Sequence, residues 1–230
     1  MVLVGDDVTQ FWAWVCWVCM LALFGYVSSD KALLGRLWQW RTLGLLAVLL
    51  FLWGLSVNVS RGASAGMGFH LLGVTLAFLV LQPRAALGLV MLVSLAFFLP
   101  EALRNQQELN LAANALLTIL PAWLVNVGLS SVIQRCMPKH LFVFILGRGF
   151  ITPGISMVVA GLCITMVLFV TGRYSGSVLR EEISPAYVLL MWGEGFLTGL
   201  LVAVMVAFKP HWLDAYSDAV YLPEAPKQRW

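Results

Sequence analysis

The chain has 230 residues, of which 61% are hydrophobic and only 11% are charged. Because soluble globular proteins carry about 25% charged residues, this composition excludes an ordinary soluble domain and predicts an integral membrane protein. The formal net charge of +3 at pH 7 suggests no nucleic-acid partner, so we interpret the basic residues as topology signals.

The apolar stretches predict an all-α, polytopic bundle of about seven transmembrane helices in a lipid bilayer. The runs are continuous and lack the alternation of barrel strands, so strands are not expected. In chain order, the predicted spans cover residues 9–27, 42–57, 66–83, 85–99, 109–133, 141–171 and 185–208. The second span is shorter than the ~20 residues that cross a bilayer. Glycines and a proline in the first half of the sixth predict a bend or break.

The basic residues are distributed unequally between the two sides of this bundle. Seven spans place the termini on opposite sides, and nine of the 14 Lys and Arg residues then fall on the side of the C-terminus. Four fall on the other side, and Arg148 lies inside a span. The positive-inside rule therefore predicts an external N-terminus and a cytoplasmic C-terminus. We treat residues 1–208 as one transmembrane bundle and residues 209–230 as a polar tail on the cytoplasmic surface.

Three ionisable groups lie inside predicted spans: His70, Arg148 and Glu194. Such groups are costly in lipid and usually face the protein interior, where they pair or bind a ligand. His70 is either a metal ligand or a histidine that hydrogen-bonds a neighbouring carbonyl or hydroxyl group. Arg148 and Glu194 could form an ion pair, in which case Glu194 would be structural and would not bind a metal.

The predicted topology brings several polar side chains towards one cavity that opens to the outside. The third, fifth and seventh spans enter from that side, with His70 near the outer face, Asn114 deeper and Glu194 nearer the midplane. Asp6 and Asp7 precede the first span on the same side. Imidazole, carboxylate and amide groups together suit a divalent ion such as Co²⁺, Ni²⁺ or Zn²⁺.

Cys16 and Cys19 form a C-x-x-C pair in the first span. On a helix the two thiols share a face, as a pair of metal ligands would require. However, free cysteine also packs as a small apolar residue, and no second pair lies nearby to complete a structural site. We favour the packing interpretation.

Three segments resemble motifs of one transporter family, in the same order and at similar spacing over residues 67–206. The first segment, residues 69–76, contains His70 and Gly73 and resembles the family's H-x-x-G-x-x-L motif. The segments that contain Asn114 and Glu194 resemble its L-G-x-N-A-L and P-E-A-x-x-T-G motifs. The family comprises the substrate-capture membrane subunits of cobalt and nickel energy-coupling-factor transporters (CbiM/NikM).

The resemblance implies a helical bundle in the bacterial cytoplasmic (inner) membrane that captures a transition-metal ion from outside. It implies partners as well: an ATPase and a coupling transmembrane subunit. His70 occupies the family's histidine-ligand position, while Asn114, Glu194 and Gly73 match motif positions that shape the site or its packing. The family's Met-His-Ile start is replaced here by Met-Val-Leu. Asp6 and Asp7, Met67 or the two N-terminal cysteines are the candidate replacements for the missing histidine.

The sequence contains no G-x-x-x-x-G-K-[ST] phosphate-binding loop, so energy for transport would come from a partner protein. We expect no enzymatic activity, because no nucleophile is accompanied by a plausible base. An alternative function belongs to a different class: the chain would be a diverged relative that no longer transports metal and serves as a structural or assembly subunit of another membrane complex. The missing N-terminal histidine and the aromatic-rich first third favour that alternative.

Overall fold

Helices account for most of the part of the chain that the computed structural model describes, namely residues 10–29, 39–59, 61–65, 67–104 and 110–222. In chain order they are α1 (Gln10–Ser28), α2 (Trp40–Gly54), α3 (Val74–Val80), α4 (Pro83–Arg104), α5 (Leu111–Cys136), α6 (Val143–Val170), α7 (Gly176–Phe208) and α8 (Asp218–Tyr221). Five of these, α1, α4, α5, α6 and α7, are long and apolar enough to cross a membrane.

This architecture confirms an all-α membrane bundle, but the seven long helices expected from the sequence are not found among the described residues. Helix α2 is apolar but only 15 residues long. The third predicted span, residues 66–83, is wrong as a single helix, because α3 covers only seven of its residues and α4 begins at its last one. A short antiparallel pairing of β1 (Val57–Asn58) with β2 (Gly68–Phe69) precedes α3.

A glycine in the left-handed conformation explains why α3 begins so late. Gly73 has φ +64°. Residues with a Cβ atom rarely adopt this conformation, and it cannot continue a right-handed helix. A Cβ atom at this position would lie 2.5 Å from Cδ2 of Leu49 on α2. Residues 70–73 therefore stay non-helical, and His70 lies in this segment instead of on a helix.

The segment nevertheless runs from one end of the bundle to the other. At one end, the Tyr174 hydroxyl, just before α7, donates to the carbonyl of Ala65 (2.9 Å). At the other end, the backbone N–H of Ala215, just after α7, donates to the carbonyl of Leu79 (3.1 Å). Because α7 connects these two ends, the stretch between Ala65 and Leu79 extends over the same depth.

A π-helical section within a continuous helix lies where a bend or break was expected in the sixth span. The first part of α6, Val143–Ile151, is π-helical, and Thr152–Val170 continues as α-helix. The Thr152 hydroxyl donates to the carbonyl of Gly147, five residues earlier (2.9 Å). The wider turn thus keeps its backbone groups hydrogen-bonded, as a membrane-spanning helix requires.

Small residues bring α6 and α7 into close contact at the centre of the bundle. A Cβ atom on Gly161 would lie 2.4 Å from the Tyr187 ring, and one on Gly195 would lie 2.8 Å from the Phe150 carbonyl oxygen. Helices in membranes commonly pack closely through such residues. This contact fixes the rotation of α7 and turns the neighbouring Glu194 towards the interior, where it is fully buried.

The described part of the tail packs against the end of the bundle. A short 3₁₀-helix, Pro210–Trp212, follows α7, and Leu213, Tyr216 and Tyr221 are buried. Asp214 forms an ion pair with Arg41, which lies in the first turn of α2. Residues 223–230 lie outside the described part of the chain.

Candidate metal-capture site

His70 is buried, with only 6% of its surface exposed. Its ring lies over the indole of Trp53, with centroids 4.3 Å apart, and close to the rings of Phe97 (5.5 Å) and Phe98 (6.2 Å). Helices α2 and α4 supply these aromatic side chains. This apolar enclosure disfavours the charged imidazolium, so the ring is held as neutral imidazole, which is the form that binds metals.

The hydrogen bond of the His70 ring indicates which nitrogen is available to a metal ion. Nδ1 lies 3.0 Å from the carbonyl oxygen of Leu71. Since a carbonyl can only accept, Nδ1 carries the proton and Nε2 retains the lone pair. A backbone carbonyl on Nδ1 is the usual arrangement that orients a metal-binding histidine.

A carboxylate holds the backbone next to His70. The Oε2 atom of Glu194 accepts the N–H of Leu72 (2.8 Å), and Oε1 accepts the N–H of Gly73 (2.7 Å). The indole N–H of Trp53 donates to the carbonyl of Leu72 (2.9 Å). Side chains from α2 and α7 thus fix the residues that follow His70.

A very small cavity lies beside His70. Its volume is about 10 Å³, and its lining includes the side chains of Thr118, Met157 and Tyr187. A space of this size holds roughly one water-sized species. The Thr118 hydroxyl donates to the backbone carbonyl of Asn114, one turn earlier on α5 (2.7 Å). Asn114 is itself buried and lies one turn before this lining residue.

The predicted aspartate and cysteine ligands lie on the first helix or precede it. Cys16 and Cys19 lie on α1 as free thiols, the first half-buried and the second exposed. Asp6 and Asp7 lie outside the described residues. Within the part of the chain that the structure describes, no group of three or more His, Cys, Asp or Glu residues is placed to hold a metal ion.

The predicted ion pair between Arg148 and Glu194 is wrong. Glu194 accepts two backbone N–H groups, whereas Nη1 of Arg148 donates to the carbonyl of Ala215 (3.2 Å). Each of the two side chains therefore has its own partners, and no ion pair joins them in the described part of the chain.

Two features of the site escaped the sequence reasoning. Trp53 was not distinguished from the other nine tryptophans, although its indole both stacks on His70 and binds the backbone. Met157 lines the small cavity, but nothing separates it from an ordinary apolar helix residue in the sequence. The charge of Glu194 inside an apolar helix was a usable signal, but its backbone partners depend on the non-helical segment, which the hydropathy pattern does not reveal.

Several spanning helices around a buried neutral imidazole define a polytopic membrane protein with an interior site for a small solute. The sequence matches the family model for the cobalt uptake substrate-specific transmembrane region over residues 8–212. The chain therefore belongs to this family and is a membrane component of cobalt or transition-metal uptake. The resemblance inferred from the motifs around His70, Asn114 and Glu194 is confirmed at the level of the family.

A solved structure agrees with this fold. A crystal structure described as that of a truncated transition metal transporter superposes with a TM-score of 0.68, covering 90% of this chain and 99% of the other. The two sequences are 16% identical, so the similarity concerns the fold. No curated protein sequence matches the chain significantly.

The carboxylate of Glu194 should be needed to keep the His70 segment in place. In a Glu194→Gln variant, the amide NH₂ would face one of the two backbone donors, leaving a buried N–H unpaired at a cost of about 1–3 kcal/mol. We expect a lower thermal unfolding midpoint in detergent and faster hydrogen exchange at Leu72 and Gly73. Glu182→Gln, at an exposed position, is the matched control. Unchanged protection of both amides in Glu194→Gln would contradict this role.

Proposed function

We propose that this chain is the substrate-capture subunit of an energy-coupling-factor importer for a divalent transition-metal ion, with Co²⁺ and Ni²⁺ as leading candidates and Zn²⁺ as a third. The observation that carries the proposal is the geometry at His70. Its Nε2 lone pair belongs to a neutral, buried ring, and a cavity of about 10 Å³ lies beside that ring. Family membership supports the class of substrate.

His70 supplies one nitrogen ligand in this proposal, and the small cavity holds the ion after it has lost most of its water. Co²⁺, Ni²⁺ and Zn²⁺ all accept imidazole, and carboxylate oxygens are compatible further ligands. Asp6 and Asp7 are the proposed carboxylates, because they precede α1 on the predicted outer side. Glu194 acts as a positioning residue: it holds the backbone that carries His70 and is not itself a ligand.

Removing the His70 imidazole should abolish tight metal binding. Since losing only an outer partner of a ligand weakens metal affinity about 10–100-fold, we expect His70→Ala to weaken Co²⁺ or Ni²⁺ binding by at least about 100-fold. Binding should also fall at low pH, because the proton and the metal compete for the imidazole.

Metal content after loading, followed by calorimetric titration of the purified chain, measures these effects. His211→Ala is the matched control, because that imidazole is exposed and follows α7. Asp6→Asn and Asp7→Asn, combined with intact His70, test the proposed carboxylates separately. Equal metal content in wild-type protein and His70→Ala would remove the central residue of the proposal.

The proposed partners are an ATPase and a coupling transmembrane subunit, because the sequence contains no phosphate-binding loop of its own. An affinity-tagged chain purified from native membranes should retain both subunits, and vesicles containing the complex should accumulate metal only with ATP. Stoichiometric copurification with a complex that lacks an ATPase, together with no bound metal, would instead support the structural-subunit alternative. The aromatic-rich first third of the sequence is the observation that favours this alternative.

The proposed orientation has the N-terminus outside and the C-terminus in the cytoplasm of a bacterial inner membrane. The support is the excess of Lys and Arg on the C-terminal side. We therefore expect activity from a reporter enzyme that functions only in the cytoplasm when it is fused after Trp230. If a reporter that is active only in the periplasm is active at the same position, the protein has the opposite orientation and His70 lies near the inner face.

A further inference from the structure

A second cavity lies at the end of the bundle opposite the Ala65–Tyr174 contact. It has a volume of about 420 Å³ and lies where α5 ends and α6 begins, with the tail residues after α7 closing one side. Three cationic side chains line it: Arg135, Lys139 and Arg148. The metal-capture site uses none of these residues.

Arg148 is the unusual member of this group, because only 2% of its surface is exposed. One nitrogen, Nη1, donates to the Ala215 carbonyl, and the guanidinium carbon lies 5.3 Å from the centroid of the Phe144 ring. The guanidinium also interacts with Tyr221. Its Nε atom is buried without a hydrogen-bond partner among the residues that the structure describes. A buried cation with an unused donor strongly favours an anionic ligand.

No carboxylate among the described residues pairs with Arg148. Among the described lining residues, Asp214 is the only acidic one, and its two oxygens already accept from Nη1 and Nη2 of Arg41. The described lining therefore contributes three cationic side chains and one carboxylate, and the carboxylate is paired with an arginine that does not line the cavity. This balance excludes a cationic ligand and favours an anion with several acceptor oxygens, because guanidinium groups bind phosphate with paired hydrogen bonds.

The position of the cavity indicates the source of the anion. The basic residues lie where the membrane-spanning helices end, at the level where lipid headgroups meet water. Two apolar side chains in the same lining, Met137 and Val220, are 49% and 43% exposed. Basic pockets between membrane helices are suited to anionic headgroups, while apolar neighbours suit the adjoining glycerol and acyl chains.

We propose that this cavity binds a phosphate group, and that the group belongs to the headgroup of an anionic phospholipid. Arg148 forms the buried contact, and the exposed side chains of Arg135 and Lys139 add charge at the entrance. The bound lipid would connect the α5–α6 turn with the tail residues after α7, because both line the cavity.

The test measures lipid binding to the full-length chain in detergent. Native mass spectrometry and thermal unfolding are recorded with phosphatidylglycerol, with zwitterionic phosphatidylcholine and with two soluble phosphates, inorganic phosphate and glycerol 3-phosphate. Wild-type protein should bind and be stabilised by phosphatidylglycerol in preference to phosphatidylcholine. The double variant Arg135→Ala/Lys139→Ala should weaken that binding about tenfold or more, since each basic residue near an anionic surface contributes ≈ 1 kcal/mol.

Both substituted side chains are exposed, so the double variant should fold normally. Arg104→Ala/Arg180→Ala removes two exposed cations elsewhere and should keep wild-type lipid binding. Saturable binding of the soluble phosphates that depends on Arg135 and Lys139, without lipid selectivity, would retain the phosphate site but overturn the lipid source. If no phosphate-bearing probe is selected over phosphatidylcholine, or both double variants behave alike, the proposal fails.

Discussion

The hydrogen bonds between the Glu194 carboxylate and the backbone of Leu72 and Gly73 are the interaction on which the rest of the structure depends. Hydrocarbon offers no partners to backbone N–H and C=O groups, so non-helical backbone at membrane depth must be satisfied by protein. Here the two N–H groups bind Glu194, the Leu72 carbonyl accepts from Trp53, and the Leu71 carbonyl accepts from the His70 ring. A buried carboxyl group is tolerated because it replaces the helical hydrogen bonds that this segment lacks.

This arrangement also explains why His70 can be oriented so closely. On a regular helix the direction of a side chain is set by a period of 3.6 residues and a few rotamers. In the non-helical segment it is set by aromatic side chains of α2 and α4 and by the neighbouring backbone. Trp53 lies on one face of the ring, and the Leu71 carbonyl orients Nδ1. The fold thus stabilises an otherwise costly backbone that orients a single imidazole.

Much of the architecture was predictable from hydropathy, because long apolar runs without alternation allow few solutions in a membrane. The five long helices correspond to predicted spans, and the family resemblance was carried by residues that now lie near or around His70. The failures share one cause: tertiary contacts decided the outcome. The segment after residue 66 is apolar enough for a helix, yet Gly73 and the partners supplied by Glu194 favour an extended path. The pairing of Arg148 with Glu194 was reasoned from charge and cost alone, and neither determines depth along neighbouring helices.

The sequence separation of these contacts has a consequence for how the protein is made. Glu194 lies 122 residues after Leu72, so at about 5–20 residues per second the ribosome needs roughly 6–25 s to synthesise the intervening chain. During that interval, the extended segment around His70 lacks the acceptor for its two N–H groups. The site is therefore completed only after α7 has entered the bilayer. A nascent chain that stops before α7 leaves these backbone N–H groups unpaired. Unfinished molecules therefore differ physically from finished ones, and the cell's quality control of membrane proteins can act on that difference.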